Sequence, residues 1–164
     1  MSAGIRVCGQ EMQNNDAVTP MSPAKIVRNS SSIADFLTTN EIRPTRQRVA
    51  IATHMFETEQ HLSADAILER VSSDTNTTTV SKATVYNTLK LFVKKGVLKE
   101  VALDPQRIMF DTNIHDHHHV LNLDSGDIRD INPVSINLSN IEGIQNNHDI
   151  SGVDIVIKVR NVDK

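Results

Sequence analysis

The chain has 164 residues, 38% hydrophobic and 23% charged, enough for one ordinary domain or two small ones. Four Phe, one Tyr and no Trp make any core chiefly aliphatic, and a single cysteine excludes an internal disulfide or a thiolate-rich zinc site. The net charge of −3 is unevenly spread: residues 41–110 hold ten Lys/Arg against eight Asp/Glu, whereas residues 111–164 hold four against nine. A mildly basic middle and an acidic end suggest two modules with different partners. No apolar run approaches the ~20 residues of a membrane span, and the N-terminus lacks the apolar stretch of a secretory signal. The expectation is a cytoplasmic protein with no membrane partner.

Residues 1–30, rich in Ser, Asn, Gln and Pro, show no sustained periodicity and are expected to form a flexible arm. A short helix is predicted from Ser32, with Ile33, Phe36 and Leu37 inward, broken at Asn40–Pro44. A second starts near Thr45 and carries Val49, Ala52, Met55 and Phe56 on one face. Ser63 caps a third, with Ala64, Ile67, Leu68 and Val71 inward. Ser81 caps the clearest helix, whose stripe is Val85, Leu89, Phe92 and Val93; Lys94-Lys95-Gly96 ends it. Val97–Leu103 and Arg107–Phe110 alternate like a hairpin around Asp104-Pro105-Gln106. Helices followed by a hairpin is the order of a winged helix-turn-helix.

In such a domain the N-terminal residues of the last helix meet the major groove. Val85 faces the core, which leaves Thr84, Tyr86 and Asn87 for bases, with Lys82 beside them. Ser81 and the free amides of the helix start suit a phosphate oxygen. Arg43, Arg46 and Arg48 can grip the DNA backbone or reach a minor groove.

Four of seven histidines (His115, His117, His118, His119) fall within five positions, between Asp111 and Val120. Imidazole is the commonest transition-metal ligand, and Asp111 and Asp116 add oxygen donors nearby. In an extended run His117 and His119 share one face and His118 takes the other. A solvated polar loop is the plain alternative. Val120–Leu123 and Ile128–Ile131 then flank a hairpin signal, Asp124-Ser125-Gly126-Asp127. Residues 134–144 carry a weaker helical pattern, and Val153–Val159 reads as a strand. So small a sheet has an open edge that a second copy would cover.

Arg43-Pro44-Thr45-Arg46-Gln47-Arg48, His61-Leu62-Ser63-Ala64, Ala83–Leu89, Phe110-Asp111 and the His run, in that order and spacing, resemble the ferric-uptake-regulator (Fur) family. Phe110–Asn113 with His117–His119, and the closing Val153–Arg160, look most like its iron-response-regulator branch, which responds to haem and binds DNA when iron is scarce. The resemblance implies a homodimeric transcriptional regulator of iron or haem homeostasis genes that binds double-stranded operator DNA. Its fold class would be α+β, an N-terminal winged helix-turn-helix domain followed by a small α/β dimerisation domain. The expected divisions are an arm at 1–30, the DNA-binding domain at 31–110 and the sensing and dimerisation domain at 111–164.

It further implies a divalent transition metal (Fe²⁺, Mn²⁺ or Zn²⁺) held by His61, Asp111, His117, His119 and Asp130, with aspartates where the family usually has Glu. Haem would be bound at His117, His118 and His119, chiefly at His118, and a haem-delivering enzyme would be a further partner. The alternative is a repressor using Fe²⁺ or Zn²⁺ as corepressor without sensing haem. The structural zinc held by a Cys-x-x-Cys pair in many members is not expected, because Asn122 and Ser125 stand there. Cys8 precedes Gly9, not the proline of a haem regulatory motif. An enzyme is not expected: the chain has no His-Glu-x-x-His, nucleophile elbow or phosphate loop.

Overall fold

A computed structural model describes residues 32–104, 107–134, 143, 150 and 152–162. The expected N-terminal arm, Cys8, and most of the weak helix predicted over 134–144 lie outside the described residues. Two compact units divide after His115.

The first unit opens with four helices, α1 (Ile33–Thr39), α2 (Arg46–Met55), α3 (Ala64–Ser73) and α4 (Lys82–Lys94). Each starts at the residue whose hydroxyl suits a cap: Ser32, Thr45, Ser63 and Ser81 accept a hydrogen bond from the amide three residues on. The end of α4 is equally local. Gly96 takes φ 70°, its N–H donates to Val93 O, and Val97 N–H donates to Phe92 O. This pattern satisfies carbonyls that the helix leaves open and folds Val97 back onto Phe92's side of the core. The α1 end repeats it with Glu41 at φ 57°.

These helices enclose one apolar cluster, including Phe36, Leu37, Ile51, Met55, Phe56, Ile67, Val71, Val85, Leu89 and Phe92. Phe56 sits between Phe36 and Phe92, with ring centroids 5.1 and 5.9 Å away. The predicted stripes are largely buried, although Val49, Ala64, Leu68 and Val93 are only partly so. On α2 the buried face is wider than its predicted stripe, taking in Ala50 and Ile51.

A three-stranded antiparallel sheet, ordered β1-β3-β2, completes the unit: β1 (His61–Leu62), β2 (Lys99–Asp104) and β3 (Arg107–Asp111). Val97 and Leu98, predicted as strand, instead form a buried bend before β2. The two-residue β1, which no local pattern announced, pairs His61 with Asp111 and Leu62 with Phe110.

The second unit is built on β4 (His118–Asn122), β5 (Ile128–Ile131) and β6 (Val156–Val159), ordered β5-β4-β6. β5 runs antiparallel to β4 and β6 parallel to it. β4 begins two residues earlier than predicted, so the His run enters the central strand. Asn122 anchors the hairpin, its Oδ1 accepting from Asp124 N and Ser125 N. Among the described residues no helix is long and apolar enough to cross a membrane.

Candidate metal centre and nucleic-acid interface

The first donor pair lies on the sheet of the first unit. The β1–β3 register sets His61 opposite Asp111, and His61 Nε2 lies 3.4 Å from Asp111 Oδ2. Asp111 is 1% exposed, and its other oxygen, Oδ1, accepts from Asn113 N at 2.8 Å. Gln60 holds this register from three sides. Its amide N–H donates to Thr112 Oγ1, its carbonyl accepts from Thr112 N, and its side chain donates to the α2 carbonyls of His54 and Met55. Sequence reasoning singled out His61 and Asp111 but missed Gln60, because its partners are distant in sequence.

The second donor group lies on the sheet of the second unit. His117 and His119 do share one face, as alternation requires. Their Nε2 atoms lie 2.9 Å apart, with ring centroids at 4.5 Å. β5 sets Asp130 opposite His119, with Asp130 Oδ1 at 3.8 Å from His117 Nε2 and 4.0 Å from His119 Nε2. The backbone of His119 is fixed by β6, its N–H donating to Ile155 O. His118 is also buried, at 6% exposure, and its Nδ1 has no hydrogen-bond partner among the described residues.

The donor chemistry fits a divalent transition ion. Imidazole and carboxylate suit Fe, Mn and Zn, and two nitrogens each about 2.1 Å from one ion lie ~3.0 Å apart at an octahedral right angle and ~3.4 Å apart at the tetrahedral angle. The 2.9 Å between His117 and His119 Nε2 is a hydrogen-bond distance between ring nitrogens that also approaches the right-angle spacing.

On α4, Val85 is fully buried while Ser81, Lys82, Ala83, Tyr86 and Asn87 are exposed and Thr84 is half-buried. Ser81 Oγ is engaged by the cap and by the Thr84 hydroxyl at 2.9 Å, so these two shape the helix start as well as facing outward. Lys82 pairs with Asp65 of α3 at 2.6 Å. Arg43 and Arg46 are exposed, and Arg48 Nη1 donates to the carbonyl of Arg43, bracing the turn before α2.

This combination, a winged helix-turn-helix unit bearing a His–Asp pair and a second unit whose described residues form a three-stranded sheet bearing a His–His–Asp group, defines an α+β fold. The sequence pattern of the Ferric uptake regulator family matches residues 39–159, and the chain belongs to that family. It is 34% identical over 96 residues to the peroxide-responsive repressor PerR of Staphylococcus aureus, a match covering 58% of this chain and 64% of that relative's length. The ferric uptake regulator of Francisella tularensis with iron shares the fold, with TM-score 0.59 and 22% identity over 73% of this chain and 92% of that one. That of Pseudomonas aeruginosa with manganese does too, with TM-score 0.56 and 19% identity over 79% and 97%.

Proposed function

We propose that the chain is a metal-responsive transcriptional regulator that binds operator DNA as a homodimer. The observation that carries this reading is the convergence of His117 and His119 Nε2 at 2.9 Å beside Asp130, in a chain whose other unit presents Tyr86 and Asn87 on an exposed helix start. Two donors on one sheet and three on the other each fall short of a full coordination shell. Three imidazoles and two carboxylates together supply one. We therefore assign His61, Asp111, His117, His119 and Asp130 to one regulatory ion.

Such an ion would supply positive charge and a fixed donor geometry. The chain's own residues do the rest. His61 and Asp111 sit on the sheet whose strand β2 is tied to α4 by the Glu100–Lys90 pair, so constraining them constrains the reading helix. The acidic charge of residues 111–164 opposes DNA phosphate, and neutralising part of it favours binding. Coupling of this kind is typically ~1–3 kcal/mol, about 5–150-fold in affinity. Thr84, Tyr86 and Asn87 face the bases, Ser81 and Lys82 the phosphates near the helix start, and Arg43, Arg46 and Arg48 the backbone. The exposed Ile157 and Val159 of edge strand β6 suit contact with a second copy.

A metal ion suits the His run better than haem. Haem needs a ring nitrogen open to a large planar ligand, whereas His117, His118 and His119 are all buried and two of them face each other. The iron and manganese named for the similar solved structures fit a metal-sensing role, and the donor set accepts Fe²⁺, Mn²⁺ and Zn²⁺ alike. The test is a duplex-binding titration using DNA selected from a random library, with Mn²⁺, Zn²⁺ or haem added. Metal should raise affinity within the 5–150-fold range, and haem should neither shift its Soret band nor alter binding. Metal-independent affinity, or release by haem, would overturn the reading.

A further inference from the structure

The exposed face of α4 carries an arrangement that DNA contact alone does not require. Lys90, one turn after Tyr86, places its ammonium 5.4 Å from the centre of the Tyr86 ring. The same ammonium is ion-paired with Glu100 of β2. Glu100 thus reaches from the hairpin to the helix, holds the lysine, and through it braces the ring that faces DNA. The hydrogen bond from Lys90 to Glu100 outweighs burial and raises the lysine above its usual range.

We propose that Glu100 is a positioning residue for base reading: it ties Lys90 against Tyr86 and away from phosphate, so that α4 gains sequence discrimination at the expense of raw affinity. This rests on the DNA-binding reading above. A loose lysine at this point of the helix would meet any phosphate within reach, adding sequence-independent affinity. A tyrosine with one braced orientation meets one base edge more often than its neighbours, since ordering completed before binding is not charged at contact. The Lys82–Asp65 pair is a natural control. It sits on the same helix and joins the same charge types, but its side chains are 69% and 68% exposed and it brings Asp65 from α3.

The experiment uses the full chain loaded with Mn²⁺, the wild-type-selected duplex and a random-sequence duplex. Because Tyr86 is the chain's one tyrosine and there is no tryptophan, its emission is read directly in the free protein. Glu100→Gln should change that emission, steepen the salt dependence by about one unit, and lower the selected-to-random affinity ratio by about tenfold. Adding Lys90→Met to Glu100→Gln should restore the wild-type salt slope but not the ratio. Asp65→Asn should raise affinity for both duplexes and leave emission and ratio unchanged. Wild-type emission and ratio in Glu100→Gln would overturn the proposal while leaving DNA binding intact. A wild type that binds no duplex in any metal state would overturn the DNA-binding reading, and this proposal with it.

Discussion

The two units differ in what they bury. Residues 32–115 enclose an interior of Leu, Ile, Val, Met and Phe, with Phe56 packed against Phe36 and Phe92, whereas the described residues after 115 bury one leucine, Leu121, and three histidines. Apolar burial stabilises through exclusion of water and needs no ligand. Buried imidazoles need partners for their ring nitrogens, and in the second unit two of them face each other. Among the described residues, apolar burial thus dominates the first unit and imidazole burial the second. In the proposed regulator that division fits the roles: the reading helix rests on an apolar core, and the ion's donors on the second sheet include buried imidazoles.

The largest expected effect lies in the first unit. Phe92→Ala removes a fully buried ring packed against Phe56 and should cost ~3–5 kcal/mol, read as a lowered denaturant midpoint in metal-free protein. A similar loss on Leu121→Ala in metal-free protein would erase the contrast. Saturating metal should add about 4 kcal/mol at a thousand times its dissociation constant, and His119→Ala should remove this gain. Equal metal stabilisation of wild type and His119→Ala would place the ion elsewhere.

At the DNA surface the effects are smaller and of two kinds. Tyr86→Ala should lose ~1–3 kcal/mol of discrimination between selected and random duplexes. Arg46→Ala should weaken both alike and reduce the salt slope by about one unit. The smallest effect concerns Glu41, whose carboxylate is held below its usual range by the hydrogen bond and charge of Lys95. A carboxyl group lowered on folding stabilises above its unfolded value of about 4.5, and this contribution is lost as pH falls through the lower folded value. Glu41→Gln should flatten that acid limb of an unfolding titration.

The four helix starts and the Gly96 stop were legible because capping is local chemistry, written within three or four residues. The pairing of His117 with His119 was legible from strand alternation. Other features depend on distant partners. β1 exists because Phe110 and Asp111 offer it a ladder, Gln60 matters because Thr112 faces it, and Lys90 is held by Glu100 across the hairpin. The early start of β4 was hidden for another reason: its first inward residues are imidazoles, which an apolar pattern does not register. Burial of His118 was hidden likewise.

We propose one divalent ion held by His61, Asp111, His117, His119 and Asp130. X-ray absorption on Zn²⁺-loaded protein counts imidazoles directly. The account predicts three in the wild type and two in either His61→Ala or His119→Ala. A count unchanged by His61→Ala would contradict it, leaving the ion on the second unit alone.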